Sequence, residues 1–231
     1  MPTLLELARL SEAVYQTSPA VDGWACKRVV HAKGKLDGFQ AAAFARGKEL
    51  VIAFRGTAQA VDAAVDLKLG IGMNSSYFAA GEEFTETAEL YTDVTLTGHS
   101  LGGAIAQVVA NRQQLPMATF NAPGVAVLAS RNIGEATVTM QAIRLVGMAA
   151  SVVRHPLQAG RDVLAAFNVV RGVNLCLSND PVSAIGNHYG KVLRIPGASM
   201  NPLTEHGIAT VISVLEKPEN AAVARLTPLT A

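Results

Sequence analysis

Ser100 stands in Gly98-His99-Ser100-Leu101-Gly102, between a short β-prone run, Val94 to Thr97, and a run of small helix-forming residues, Leu101 to Arg112. A serine at a strand-to-helix junction must occupy a turn sharp enough to strain its own backbone, and that turn lifts the hydroxyl clear of the sheet. Gly98 and Gly102 lack a Cβ, so strand and helix can close on the turn. The chemistry this suits is nucleophilic attack. A glycine-rich turn with an incidental serine would account for the glycines but not for a hydroxyl at the tip.

A serine hydroxyl attacks only when a base takes its proton, and the base needs a partner to orient it. Where such an elbow carries the nucleophile, as in α/β-hydrolases, the chain order is serine, acid, histidine. Of five histidines, His31 lies far ahead of the serine and His99 sits inside the elbow, its side chain directed away from Ser100. His155 precedes every good acid, which leaves His188 and His206. Asp180 is the favoured acid because it follows the expected strand Val173 to Leu177 at its C-terminal end, where open parallel sheets place their sites. Asp93 precedes its strand and Asp162 lies mid-helix beside Arg161, both as solvated charges, while Asp180-Pro181 would equally suit an ordinary turn. His206 is preferred as the base, since it follows the loop Asn201 to Glu205 and opens an apolar helix that anchors it. His188, eight residues beyond Asp180, has little chain with which to reach back and stays as the alternative base. An oxyanion hole needs two backbone N–H groups. Leu101 supplies one, and the turn Phe54-Arg55-Gly56-Thr57 is positioned to supply the other from Thr57.

The elements that must position these groups follow from periodicity. Leu4 to Tyr15 is an amphipathic helix, and Gly38 to Arg46 with Glu49 to Arg55 forms an antiparallel hairpin closed at Arg46-Gly47-Lys48. Val61 to Leu69 is helical, Gly70 to Ser76 is loop, and Glu82 to Tyr91 is a helix leading into the nucleophile strand. Strands are expected at Met117 to Asn121, Val173 to Leu177 and Lys191 to Ile195, with a last helix from His206 to Glu216. Between them, Val146 to Val170 is helical and broken near Pro156 and Gly160. Strands alternating with helices imply an α/β fold with a mostly parallel central sheet flanked by helices, after an N-terminal antiparallel hairpin.

Composition narrows the class. Of 231 residues 50% are hydrophobic and 16% charged, which excludes a disordered chain, and no linker or repeat divides it, so residues 1–231 are read as one domain. A net charge of +1 without a basic run makes nucleic acid a poor partner. No apolar run approaches the ~20 residues that span a bilayer, and Met1 to Glu6 lacks the basic start of a signal peptide. The expected location is the cytoplasm, although export by a signal-independent route would leave no trace. Cys176 reads as a small buried apolar residue, with its pairing to Cys26 left open. No metal or organic cofactor is implied; Asp62 and Asp66, one turn apart, read as a solvated helix face.

In order along the chain come Leu7-Ala8-Arg9-Leu10-Ser11 with Tyr15, Val51-Ile52-Ala53-Phe54-Arg55-Gly56-Thr57 and Thr97-Gly98-His99-Ser100-Leu101-Gly102-Gly103-Ala104. Thr119-Phe120-Asn121-Ala122-Pro123-Gly124, Asn179-Asp180-Pro181-Val182 and His206 follow. Together they resemble the class 3 lipases, the fungal-type lipases with an α/β-hydrolase fold, and especially their small bacterial members. The resemblance implies a serine hydrolase of lipid carboxylic esters, lipase or phospholipase A in type, with Ser100 as nucleophile, Asp180 as acid, His206 as base, and Thr57 and Leu101 at the oxyanion hole. The 42 residues from Ala58 to His99 leave room only for a short lid, best placed at Gly70 to Ala80. The apolar, arginine-bearing stretch at about 142–170 suits either two core helices or a helical cap that meets a membrane or micelle surface. Alternatives within and beyond this class are a short-chain esterase, a secreted antibacterial phospholipase effector with an immunity or adaptor protein, and a non-catalytic interaction protein on a hydrolase scaffold.

Overall fold

The computed structural model describes residues 1–32, 38–56, 75–86, 88, 91–125 and 170–231. Its sheet has seven strands in sequence order: β1 (Ala25–His31), β2 (Gln40–Arg46), β3 (Glu49–Phe54), β4 (Asp93–His99), β5 (Met117–Phe120), β6 (Gly172–Leu177) and β7 (Lys191–Ile195). The first three strands pair antiparallel, and β3 through β7 run parallel. Consecutive parallel strands lying side by side require crossovers over the sheet faces, and helices pack on both.

Side-chain alternation decides which helix meets which face. Val51 and Ala53 of β3, with Phe120 and Leu175, face a core closed by α1 (Leu4–Ala13) and by α5 (Ile208–Leu215) near the C-terminus. Leu50, Ile52 and Phe54 face the opposite core, closed by α2 (Ser75–Glu86) and by α3 (Leu101–Gln113), the helix after the elbow. Helix α1 begins at a capping box: Thr3 Oγ1 accepts from the Glu6 N–H, and the Glu6 carboxylate accepts from the Thr3 N–H. Leu4, Leu7 and Leu10, one face of that helix, are fully buried. This is the α/β-hydrolase architecture, with its hairpin extended by a further antiparallel strand.

That extra strand, β1, was not expected. It is an edge strand with mostly exposed side chains and two adjacent cations, Lys27 and Arg28, so no alternation marks it. Helix α2 spans Ser75–Glu86 rather than Glu82 to Tyr91, and Phe78 and Phe84 pack its face into the core. The last helix is also divided. Asn201 caps α4 (Pro202–His206) by accepting from the Leu203 and Thr204 N–H groups, and Gly207, at φ −60 and ψ 140, separates it from α5. His206 therefore ends a short helix instead of opening a long one. Neither cysteine is paired: Cys26 lies exposed on β1 and Cys176 buried on β6, with four strands between them. The expected helix at Val61 to Leu69, residues 70–74 of the expected lid and 142–169 of the helical cap lie outside the described residues. Residues 75–80 of that lid segment are the first half of α2. Among the described residues no helix is long and apolar enough to cross a membrane.

Candidate active site

Ser100, Asn121 and Asp180 each follow the C-terminal end of a parallel strand, β4, β5 and β6 respectively. Ser100 follows β4 directly and takes φ 56 and ψ −129, a conformation that costs a non-glycine residue roughly 1–3 kcal/mol. The surroundings hold it there. Ser100 N–H donates to the Phe120 carbonyl at 3.1 Å, and its own carbonyl accepts from Ala104 N–H as the first turn of α3. A Cβ on Gly102 would lie 2.0 Å from the Phe54 carbonyl oxygen, and one on Gly98 would lie 2.4 Å from the Gly102 backbone. The two glycines of the motif are thus where strand, helix and the neighbouring strand end touch backbone to backbone.

Three of the residues singled out from sequence meet here. His206 Nε2 lies 2.9 Å from Ser100 Oγ, and His206 Nδ1 lies 2.8 Å from Asp180 Oδ1. A carboxylate can only accept, so Nδ1 carries the proton and Nε2 presents its lone pair to the serine hydroxyl. Asp180 also accepts from the Val182 N–H at 3.3 Å and the Ser183 N–H at 2.8 Å, which fixes the carboxylate plane. Burial alone would push the Asp180 carboxyl upward, but hydrogen bonds and charge from His206, with those of Ser183, outweigh it and hold the group below its ordinary value. All three side chains are buried. A hydroxyl, an imidazole and an ionised carboxylate in this order can pass a proton from oxygen to ring.

His188 lies elsewhere. Its Nε2–H donates to the Ala122 carbonyl at 2.8 Å, and burial lowers its proton affinity. Leu101 is the first residue of α3, where helix geometry leaves the N–H groups without intrahelical partners. Thr57 lies outside the described residues, as do His155, Asp62 and Asp66; Gly56 is the last described residue of that turn. Among the described residues no cluster of three or more His, Cys, Asp or Glu side chains could hold a metal.

Two supporting residues were not singled out from sequence. Asn121, at φ 44, donates from Nδ2 to the Glu205 and His206 carbonyls at 2.9 and 3.1 Å, and accepts at Oδ1 from the Leu177 N–H. It therefore ties His206 to the end of the strand that leads to Asp180. Glu205 is fully buried beside His206 and accepts from the Ala198 and Ser199 N–H groups at 3.1 and 2.8 Å. The Thr119-Phe120-Asn121-Ala122-Pro123-Gly124 stretch was a signal for Asn121; Glu205, a carboxylate in an apparent loop, offered none.

A family model for a phospholipase-like protein, the Tle-like phospholipase domain, matches residues 6–155. The chain belongs to this family. The matched range contains the elbow and ends before Asp180 and His206, which enter the site by geometry alone. Among solved structures, the Lip2 lipase of Yarrowia lipolytica superposes with a TM-score of 0.50 at 14% identity, covering 87% of this chain and 80% of that one. The triacylglyceride lipase of Rhizomucor miehei aligns over 98% of this chain and 96% of its own at 15% identity, with a TM-score of 0.48. Against the Rhizomucor miehei lipase in its propeptide complex, the chain spans 61% of that protein's length, with 77% of its own residues aligned at 15% identity and a TM-score of 0.44. At such identities the Yarrowia match bears on the fold alone. The chain is thus a phospholipase-like domain on a lipase-type α/β scaffold.

Proposed function

We propose that this protein hydrolyses carboxylic ester bonds of lipids, phospholipids foremost, by acyl transfer through Ser100. The observation that carries this is the pair of hydrogen bonds, 2.9 and 2.8 Å, joining Ser100, His206 and Asp180 at a strained elbow. Ser100 Oγ forms a bond to the ester carbonyl carbon as its proton passes to His206 Nε2, and Asp180 stabilises the resulting imidazolium. The oxyanion is held by the Leu101 N–H, with the second donor assigned from sequence to Thr57. Collapse breaks the carbon–oxygen bond to the alcohol, which takes the proton from His206, and a water molecule repeats the sequence to free the fatty acid and Ser100. His206 is preferred as base over His188 because the latter's Nε2 is engaged by a backbone carbonyl. Family membership supports a lipid as the acyl donor, and the buried serine favours a substrate whose chain can displace water.

The test is fatty-acid release from phosphatidylcholine vesicles, alongside p-nitrophenyl esters from butyrate to palmitate, by the native protein and by Ser100→Ala. Release from vesicles that Ser100→Ala abolishes is the expected result. Hydrolysis confined to butyrate and indifferent to micelles would replace a lipid substrate by a short soluble ester. No hydrolysis above the Ser100→Ala background on any substrate would refute the proposal.

A further inference from the structure

His99 takes no part in the acyl transfer, yet its buried ring is held at both nitrogens. Nε2 lies 2.7 Å from the His206 carbonyl oxygen and Nδ1 lies 2.9 Å from Tyr15 Oη. A peptide carbonyl only accepts, so Nε2 carries the proton and Nδ1 must accept. Tyr15 then donates to Nδ1, and its oxygen remains free to accept the Gly56 N–H at 3.1 Å. One carbonyl thus sets the direction of all three bonds: Gly56 N–H to Tyr15, Tyr15 O–H to His99, His99 N–H to His206.

Both links stay uncharged. Burial, the largest cause, followed by the nearby His206, lowers the His99 pKa to about 3. Burial raises that of Tyr15 to about 12. The ring of His99 also stacks at a tilt on that of His206, with centroids 4.8 Å apart. At the other end the approach is equally close. A Cβ on Gly56 would lie 2.5 Å from Tyr15 Oη, 2.7 Å from the His99 carbonyl oxygen and 3.1 Å from Ser100 Cβ. The Gly56 backbone therefore lies directly beside the nucleophile.

We infer that Tyr15 and His99 are positioning residues, a neutral strut of three one-way hydrogen bonds that fixes the backbone beside Ser100 relative to the base that takes its proton. The inference rests on the reaction proposed for this site and assigns it two further residues, from the turn after α1 and from the elbow itself. Proton transfer and attack are sensitive to displacements of about an ångström, and both ends of the strut meet the reacting groups. Asn121, which donates to the same His206 carbonyl, is the second tether. The ring is suited to the span because its two nitrogens act at opposite ends, one as acceptor and one as donor, without ionising.

Tyr15→Phe deletes one hydroxyl and keeps the ring, leaving the Gly56 N–H without its acceptor and His99 Nδ1 without its donor. With p-nitrophenyl butyrate, kcat is expected to fall about tenfold or more while KM stays within about twofold. His99→Gln, whose amide can still reach the carbonyl, is expected to keep roughly five times the rate of His99→Leu. Histidine-labelled ¹⁵N NMR on Ser100→Ala reads the strut without any turnover. The expected spectrum shows His99 neutral with its proton on Nε2 from roughly pH 5 to 8, a range in which an ordinary histidine titrates. Wild-type kcat in Tyr15→Phe, equal rates for His99→Gln and His99→Leu, or a proton on Nδ1 would each overturn the inference. Hydrolysis persisting in Ser100→Ala would instead refute the reaction while leaving the NMR result to decide the strut.

Discussion

Replacing His99 by Gln should flatten the acid side of the protein's stability curve. The ring is buried and its folded pKa lies at about 3, against the ordinary 6.5 it regains on unfolding. Because the folded value is depressed, the unfolded chain binds the extra proton first as pH falls. The neutral ring's contribution is therefore complete above about pH 6.5 and is lost progressively between there and about pH 3. Over that window each pH unit removes about 1.4 kcal/mol, so lowering the pH from about 7.5 to about 5 should destabilise the native protein by roughly 2 kcal/mol through this residue. Asp180 acts in the same direction, but its depressed carboxyl begins to matter only nearer its unfolded value of 3.8. Urea unfolding of the native protein and of His99→Gln at the two pH values isolates the effect: the variant starts less stable and loses about 2 kcal/mol less between them. Equal losses in both proteins would mean that His99 is not held neutral, and the hydrogen-bond directions drawn from it would fall with that premise.

Gly102→Ala should yield no soluble native protein, since its Cβ would stand 2.0 Å from the Phe54 carbonyl oxygen, whereas Gly23→Ala, with open space around it but φ +77, should fold with a loss of about 1 kcal/mol; circular dichroism and thermal melts compare them. A thiol reagent should titrate one cysteine, Cys26, in the native protein and two after denaturation, and rapid labelling of both in the native state would contradict the burial of Cys176. Asp180→Asn should keep the fold yet lower kcat by roughly 10³–10⁴, because an amide lets His206 hold its proton on the wrong nitrogen; an unchanged rate would remove Asp180 from the mechanism.

The elbow was legible in sequence because its constraints are local: a strand, the single turn residue Ser100 and a helix close on each other within Val94 to Arg112, and the glycines stand where backbones touch. The sheet was legible for its central strands, which are buried on both faces and read as short, nearly continuous apolar runs, but not for β1, an exposed edge that pairs through its backbone with β2. The distinction between His188 and His206 is not local at all. It depends on the Ala122 carbonyl meeting one ring and on Asn121 and His99 fastening the carbonyl of the other, partners 66, 85 and 107 positions away in the chain. The break at Gly207 was hidden for a related reason. Apolar spacing continues through α5, whereas Asn201 starts α4 and Gly207, at φ −60 and ψ 140, ends it beside the tethered His206 carbonyl. Tyr15 could be noticed as part of the N-terminal helix, but its hydroxyl's destination, Gly56 and His99, is a matter of tertiary placement.

The central claim is that Ser100 is the nucleophile and His206 its base. Mass spectrometry of the protein treated with a p-nitrophenyl alkylphosphonate tests it without assuming a substrate. The account predicts a single adduct, on the peptide that contains Ser100, absent from Ser100→Ala and formed far more slowly in His206→Ala than in His188→Ala. An adduct on another residue, or one that forms on Ser100 equally fast without His206, would contradict it.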